Sequence, residues 1–202
     1  LTDISHLRSG SDGGALITHD YYNRPYHLLC SLTASKRDVK LMIRKAAVVI
    51  GVDKTGKLTK LHSAAAGAES VANWLRGEGY DVECLTDSSG PVESEDVEKA
   101  IAKFVTLPPR YGLLVVYFSG HGYWQARSDR WLLSGAPTRT SQAINLDGAM
   151  DLARYSGIPN VVFISDACRS IPDTRTGTRV NGIDAFPSYE EIDRTSKVDV
   201  FK

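Results

Sequence analysis

Beyond residue 45 the chain alternates between two patterns, short unbroken apolar runs and longer stretches with helical spacing. Residues 46–52 (Ala-Ala-Val-Val-Ile-Gly-Val) form a run of the kind that parallel sheets bury on both faces. Residues 63–78 then predict a helix: Ala64, Ala65 and Ala66 lead to Val71, Trp74 and Leu75 at helical spacing, and Gly77 and Gly79 end it. Residues 80–85 read as a second strand. Residues 95–107 read as a second helix carrying Val97, Ile101, Phe104 and Val105, stopped by Pro108 and Pro109. Residues 111–118 are almost wholly apolar and predict a central strand. After Gly120-His121-Gly122 comes an irregular loop, with Trp131, Leu132 and Leu133 as a short strand. Residues 145–155 predict a third helix, capped by Asn145 and ended at Gly157, and residues 160–165 a fourth core strand. This alternation argues for an α/β fold with a parallel sheet covered on both faces.

The flanks read differently. Gly10, Gly13 and Gly14 with Ser9, Ser11 and Asp12 make a flexible opening, and Tyr21, Tyr22, Tyr26, Leu28 and Leu29 are suited to docking on a neighbouring surface. Residues 33–44 have a helix-like pattern. Residues 169–197 lack a long apolar run and are rich in Thr, Arg, Asp, Gly and Pro, which predicts a solvent-exposed linker. Another strand begins at residues 198–201. The resulting division is an extension or docking segment at 1–45, a core domain at 46–170, a linker at 171–197 and the start of a core strand at 198–202. A strand with so little chain after it cannot close a fold that needs a following helix. The expectation is that the C-terminal part of the domain is missing, and the opening Leu1 suggests a fragment or a processed chain.

Composition narrows the function classes. A chain of 202 residues, 42% hydrophobic and 24% charged, is built like an ordinary globular protein with one substantial core. Twenty-four basic residues balance twenty-four acidic ones, so no net field draws nucleic acid or an anionic membrane. The basic cluster of Lys36, Arg37, Lys40, Arg44 and Lys45 reads as a solvated helix face. No apolar run approaches the roughly 18 residues of a membrane helix. Cys30, Cys84 and Cys168 are far apart, odd in number and free of any CxxC pair. A disulfide framework or four-ligand zinc site is therefore not expected, and a reducing cytoplasm is.

Two loops carry the chemistry: Ser119-Gly120-His121-Gly122 and Asp166-Ala167-Cys168-Arg169-Ser170. Each follows a predicted core strand, and open α/β sheets gather ligands in the crevice beyond the carboxyl ends of their strands. A thiol at neutral pH is mostly protonated, and a neighbouring imidazole corrects that by taking its proton. The glycines around His121 leave bare backbone near a reacting carbon, and the amides of Gly122 and Cys168 are candidate oxyanion donors. A lone Cys at a strand end is usually a buried hydrophobe, and a lone His in a loop is usually structural. Paired on two strand ends, with His ahead of Cys by close to the roughly 50 residues of caspases, they point to a dyad.

With these two motifs the sequence resembles the caspase, metacaspase and paracaspase superfamily of cysteine peptidases, over about residues 46–170 and faintly 198–201. The low cysteine content and compact domain suit a prokaryotic member. The segment from Leu61 to Leu75, with Ala68, Ala72 and Trp74, resembles the helix after the first strand of metacaspases. The resemblance implies a three-layer αβα sandwich with a mostly parallel central sheet. It implies a cysteine endopeptidase in which Cys168 attacks the scissile carbonyl and His121 is the general acid/base. Asp166 is the clue to specificity: caspases carry Gln there and cut after Asp, whereas metacaspases and paracaspases carry Asp and cut after Arg or Lys. A carboxylate on the pocket floor pairs with a cationic side chain. The alternative role for Asp166 is to cap a loop N–H.

The sequence also departs from that pattern. The second acidic pocket residue of metacaspases corresponds to Gly67, leaving Glu69, Asp53 or Asp87 as substitutes. Residues 129–140 lack the carboxylates of a metacaspase calcium site, and Asp147, Asp151 and Asp173 suit a solvated surface better. No cofactor is expected, and calcium dependence is not predicted. Arg175, Arg179, Arg194 and Lys197 in the linker, and Lys202 after it, are candidate self-cleavage sites of a zymogen. The implied partners are protein substrates and the remaining small-subunit part of the same protease, with no nucleic acid and no membrane. The competing readings are a catalytically silent adaptor of the same architecture and a receiver-type signalling domain. The latter lacks a well-placed Lys after the third or fourth strand. Nothing matches GxxxxGK[ST], GxSxG or HExxH.

Overall fold

In the computed structural model, residues 43–107, 110–188 and 197–202 are described, and all of them fall in one compact unit, Leu41–Lys202. The predicted 33–44 helix and the 1–45 extension lie almost entirely outside them. The apolar runs form the strands of one sheet: β1 (Lys45–Gly51), β2 (Tyr80–Thr86), β3 (Leu113–Gly120), β7 (Asn160–Ala167) and β8 (Asp199–Phe201). They are ordered β2-β1-β3-β7-β8, and every pairing is parallel. Strand β1 is buried over six of its seven residues, as a central strand without polar positions must be. Alternate side chains feed two cores. Val48, Ile50, Leu114, Val116, Phe118, Val161 and Phe163 join one, and Ala47, Val49, Val115 and Tyr117 join the other.

Helix α1 (Ala64–Gly77) covers the second face, packing on β1, β2 and β3. Its buried stripe is Ala64, Ala65, Ala68, Ala72 and Leu75. Trp74, expected on that stripe, is 63% exposed. The reason is angular: at about 100° per residue Trp74 falls outside the stripe that runs through Ala64, Ala68, Ala72 and Leu75. That stripe stays small at its start because a Cβ on Gly51 would lie 2.6 Å from the Ala68 Cβ and 2.7 Å from the Ala64 carbonyl. Helices α2 (Ser94–Thr106) and α3 (Leu146–Ala153) contribute Val97, Ile101, Phe104, Leu146 and Ala149 to the opposite core. Helix α2 opens with a capping box in which Glu93 and Asp96 satisfy each other's backbone N–H groups.

The segment after His121 is more regular than the expected loop. Strands β4 (Gly122–Gln125), β5 (Ser128–Leu132) and β6 (Ala143–Asn145) form an antiparallel sheet. Trp131 of β5 anchors it, stacked on Phe118 at 5.1 Å and donating from Nε1 to the Ser165 hydroxyl at 2.8 Å. Asn145 does not cap α3 with its side chain. Its amide oxygen accepts from Ser128 and Arg130, and its Nδ2 donates to Asp184.

The linker expectation needs correction as well. Val180, Ala185 and Phe186 are buried, and the Ile183 N–H and C=O bond to Ala143 and Asn145 at the edge of β6. Three apolar residues dispersed among polar ones leave no run to read, yet they suffice to fasten the segment.

Candidate active site

Register builds this site. In the parallel ladder Ser119 pairs with Asp166 and Gly120 with Ala167, so His121 and Cys168 leave neighbouring strands side by side. Side chains alternate along each strand. Tyr117, Ser119 and His121 on one strand, and Asp166 and Cys168 on the other, therefore share the α1 face, while Ser165 and Arg169 take the opposite one.

Cys168 is exposed. Its thiol donates to the Gly122 carbonyl at 3.7 Å and accepts from the Ser170 hydroxyl at 3.5 Å. Partial desolvation by the flanking loops pushes the thiol up. Hydrogen bonds with Ser170, Gly122 and His121, together with the charge of His121, outweigh it and bring the thiol down to about 7. The His121 Nε2–H donates to the Thr59 carbonyl at 2.7 Å, which fixes the ring and leaves Nδ1 as the second nitrogen. Thr59 lies in the β1–α1 loop and was missed by sequence reasoning. A backbone carbonyl has no side-chain signature by which to find it.

Gly122 is required for the two loops to meet. A Cβ there would lie 2.3 Å from the Cys168 carbonyl oxygen and 3.2 Å from the Ala167 Cβ. The backbone of β4 also holds the residue two beyond the nucleophile: Ser170 N–H donates to the Gly122 carbonyl at 3.1 Å, and Trp124 N–H to the Ser170 carbonyl at 2.9 Å.

Asp166 is exposed, and its Oδ2 accepts from the Tyr117 hydroxyl at 3.2 Å and the Ser119 hydroxyl at 3.1 Å. No described backbone N–H is capped by it. The Tyr117 hydroxyl is pushed up by burial and by the Asp166 charge. The three acids offered as a second pocket carboxylate are engaged around the β1–α1 and β2 ends. Asp53 accepts from the Ala64 and Ala65 amides, Asp87 from the Asp53 and Lys54 amides, and Glu69 from the Thr86 and Ser88 hydroxyls. Gly67 faces open space.

On the opposite face Arg169 forms a two-pronged ion pair with Asp129, Nε to Oδ1 at 2.8 Å and Nη2 to Oδ2 at 2.7 Å. Lys202 Nζ reaches the same Oδ2 at 2.6 Å. Burial pushes Asp129 up, but the bonds from Arg169 and Lys202 outweigh it and hold the carboxyl below the usual carboxylate range. Of the basic residues expected as cleavage points, Arg175 and Arg179 are exposed, Lys197 pairs with Asp199 at 3.2 Å, and Arg194 lies outside the described residues. Among the described residues no three His, Cys, Asp or Glu side chains converge as a metal site, and Asp147, Asp151 and Asp173 do not come together in one. No described helix is long and apolar enough to cross a membrane.

Comparison with known proteins agrees with this geometry. The family model for the caspase domain matches residues 44–198. No curated protein matches the chain. Among solved structures, the crystal structure of protein GSU0716 from Geobacter sulfurreducens is similar in fold, with a TM-score of 0.51 at 20% identity. The likeness covers 64% of this chain and 52% of that one, so this chain spans about half the length of the solved structure it matches. From strand order, paired strand ends and family match together, the chain belongs to the caspase domain family of cysteine peptidases.

Proposed function

We propose that the protein is a cysteine endopeptidase that cuts after Arg or Lys, using Cys168 as nucleophile and His121 as acid and base. The observation that carries this reading is the juxtaposition of the two at adjacent strand ends, with the thiol brought down to about 7. His121 takes the thiol proton, and the thiolate adds to the scissile carbonyl carbon. The carbonyl oxygen then carries the negative charge and faces the amides of Gly122 and Cys168. Collapse of this adduct expels the amine, which takes its proton from His121 and leaves an acyl thioester. Water then attacks with His121 as base, and the carboxylic acid leaves as the thiolate returns. Thr59 keeps the ring aimed throughout.

Basic specificity rests on Asp166, whose carboxylate is held by Tyr117 and Ser119 on the same face as the sulfur. The reading extends to a zymogen of the cytoplasm that is processed in its linker, where Arg175 and Arg179 are exposed to attack. Lys202 is a poorer target because Asp129 holds it.

The test is release of a fluorophore from peptides ending in Arg, Lys or Asp, with intact mass followed in the same incubations. The unmodified chain should cleave after Arg or Lys, and Cys168→Ala should not. Asp166→Asn should lower kcat/KM for the basic peptides by about 10²-fold, the worth of a lost charge-assisted bond. Release only after Asp would overturn the pocket assignment. Cleavage that persists in Cys168→Ala would overturn the nucleophile, and no release from a chain whose mass shows it processed in the linker would favour the silent adaptor.

A further inference from the structure

Strand alternation puts Arg169 on the face opposite the sulfur, so it takes no part in the chemistry just described, yet it is held by a two-pronged ion pair. Its two parallel bonds to Asp129 define both the position and the plane of the guanidinium. Its Cζ lies over the Trp124 ring, 4.8 Å from the centre. Trp124 and Asp129 are cross-strand partners in the β4–β5 hairpin, so a single pair of residues forms a slot shaped for a guanidinium. Asp129 itself is 5% exposed. A carboxylate is not buried there without cations to hold it, and it has two, the second being Lys202 just beyond β8.

We propose that Asp129 is a positioning residue for the nucleophile: it locks Arg169, and with it the backbone of Cys168, to the β4–β5 hairpin, and through Lys202 it ties strand β8 to the same lock. This rests on Cys168 being the reactive thiol. The hairpin already holds Ser170 through two backbone bonds, so the residues at +1 and +2 from the sulfur are both fixed to it. Release of Arg169 frees the loop to move the sulfur away from the Ser170 hydroxyl, the Gly122 backbone and His121 together. Displacements of about 1 Å at a reacting atom cost on the order of 10²-fold in rate. Because β8 lies beyond the linker, its docking is felt at the sulfur through one shared carboxylate.

The groups that face Asp129 are Arg169, Lys202 and the neighbouring charge of Arg130. Those that face the sulfur are His121, Ser170 and Tyr123. The experiment measures two quantities in the full chain. One is the pH dependence of iodoacetamide alkylation at Cys168, located by peptide mass. The other is kcat and KM on an Arg-ended peptide. Asp129→Asn should move the alkylation midpoint upward from about 7 and lower kcat by about 10²-fold, with KM little changed. Asp129→Glu should restore most of both, and Lys202→Met should shift both in the same direction by less.

A downward shift in Asp129→Asn would mean that removal of a negative charge acts on the thiolate directly, and would overturn the proposal. So would an unchanged profile in a variant that melts as the parent does. An unchanged Lys202→Met would remove β8 from the lock. If Asp129→Asn does not fold, Arg169→Lys, which keeps the charge and loses the second prong, should give the same upward shift, and failure to do so would overturn the proposal. Alkylation needs no peptide cleavage. A chain that cuts nothing yet shows the upward shift would thus sink the peptidase reading and leave the positioning role standing.

Discussion

A thiol of ordinary acidity, near 8.5, is only a few per cent thiolate at pH 7, whereas one at about 7 is half ionised. Cys168 gains this from three neighbours on three different pieces of chain: Ser170 in its own loop, the backbone of Gly122 at the start of β4, and His121 just beyond β3. Deprotonation rises with pH through the pKa, so the lowered value moves the onset of reactivity down the pH scale. Alkylation of Cys168 is therefore expected to rise through a midpoint near 7. Ser170→Ala removes a donor to the sulfur and should move that midpoint upward; a midpoint that stays put would exclude the hydroxyl as a contributor. Of these three neighbours, sequence reading singled out His121 and Gly122. The part of Ser170 escaped it because a serine two residues past a cysteine carries no pattern of its own.

At the scale of elements, what could be read depended on where the signal lay. Strands β1 and β3 were legible because burial on both faces demands apolar residues nearly throughout, and β7 through its short apolar run at residues 161–164. The β4–β5 hairpin was not. Its two-residue turn, Ala126-Arg127, has φ of 50° and 65° at the two central positions, a conformation that usually announces itself as Asn-Gly. The left-handed backbone costs a residue with a side chain about 1–2 kcal/mol. Arg127→Gly should accordingly raise the midpoint of thermal unfolding, by an amount equivalent to roughly 1 kcal/mol, and a lowered midpoint would contradict the turn assignment. Helix α1 shows the converse. Its existence was legible, but its buried face was not, because the large residue of the pattern, Trp74, points outward and the alanines point in. Close approach at Gly51 keeps Ala64 and Ala68 small, and that approach is a property of the packed pair rather than of the helix.

Across the whole molecule, the order β2-β1-β3-β7-β8 explains why residues distant in sequence converge. The order changes direction between β1 and β3, and loops at the carboxyl ends separate at such a point to leave a crevice. Thr59 enters it from the β1 side, His121 from β3 and Cys168 from β7. Strand periodicity alone does not contain this order. The pairing of His121 with Cys168 was legible from motif spacing and family resemblance, and the role of Asp129, on the far side of the sheet, was not. Helix α1 packs on β1, β2 and β3, while Ile164 of β7 and Phe201 of β8, on the same face, are 44% and 53% exposed.

The central claim is that one thiol, held between His121 and a basic-specific pocket, does the chemistry. It is tested most directly by peptidyl acyloxymethyl ketones ending in Arg or in Asp, with the modified residue located by mass spectrometry. The expected result is one adduct per chain, on Cys168, formed by the Arg-ended reagent and not by the Asp-ended one. An adduct on any other residue would contradict the nucleophile, and equal labelling by both reagents would contradict the role of Asp166.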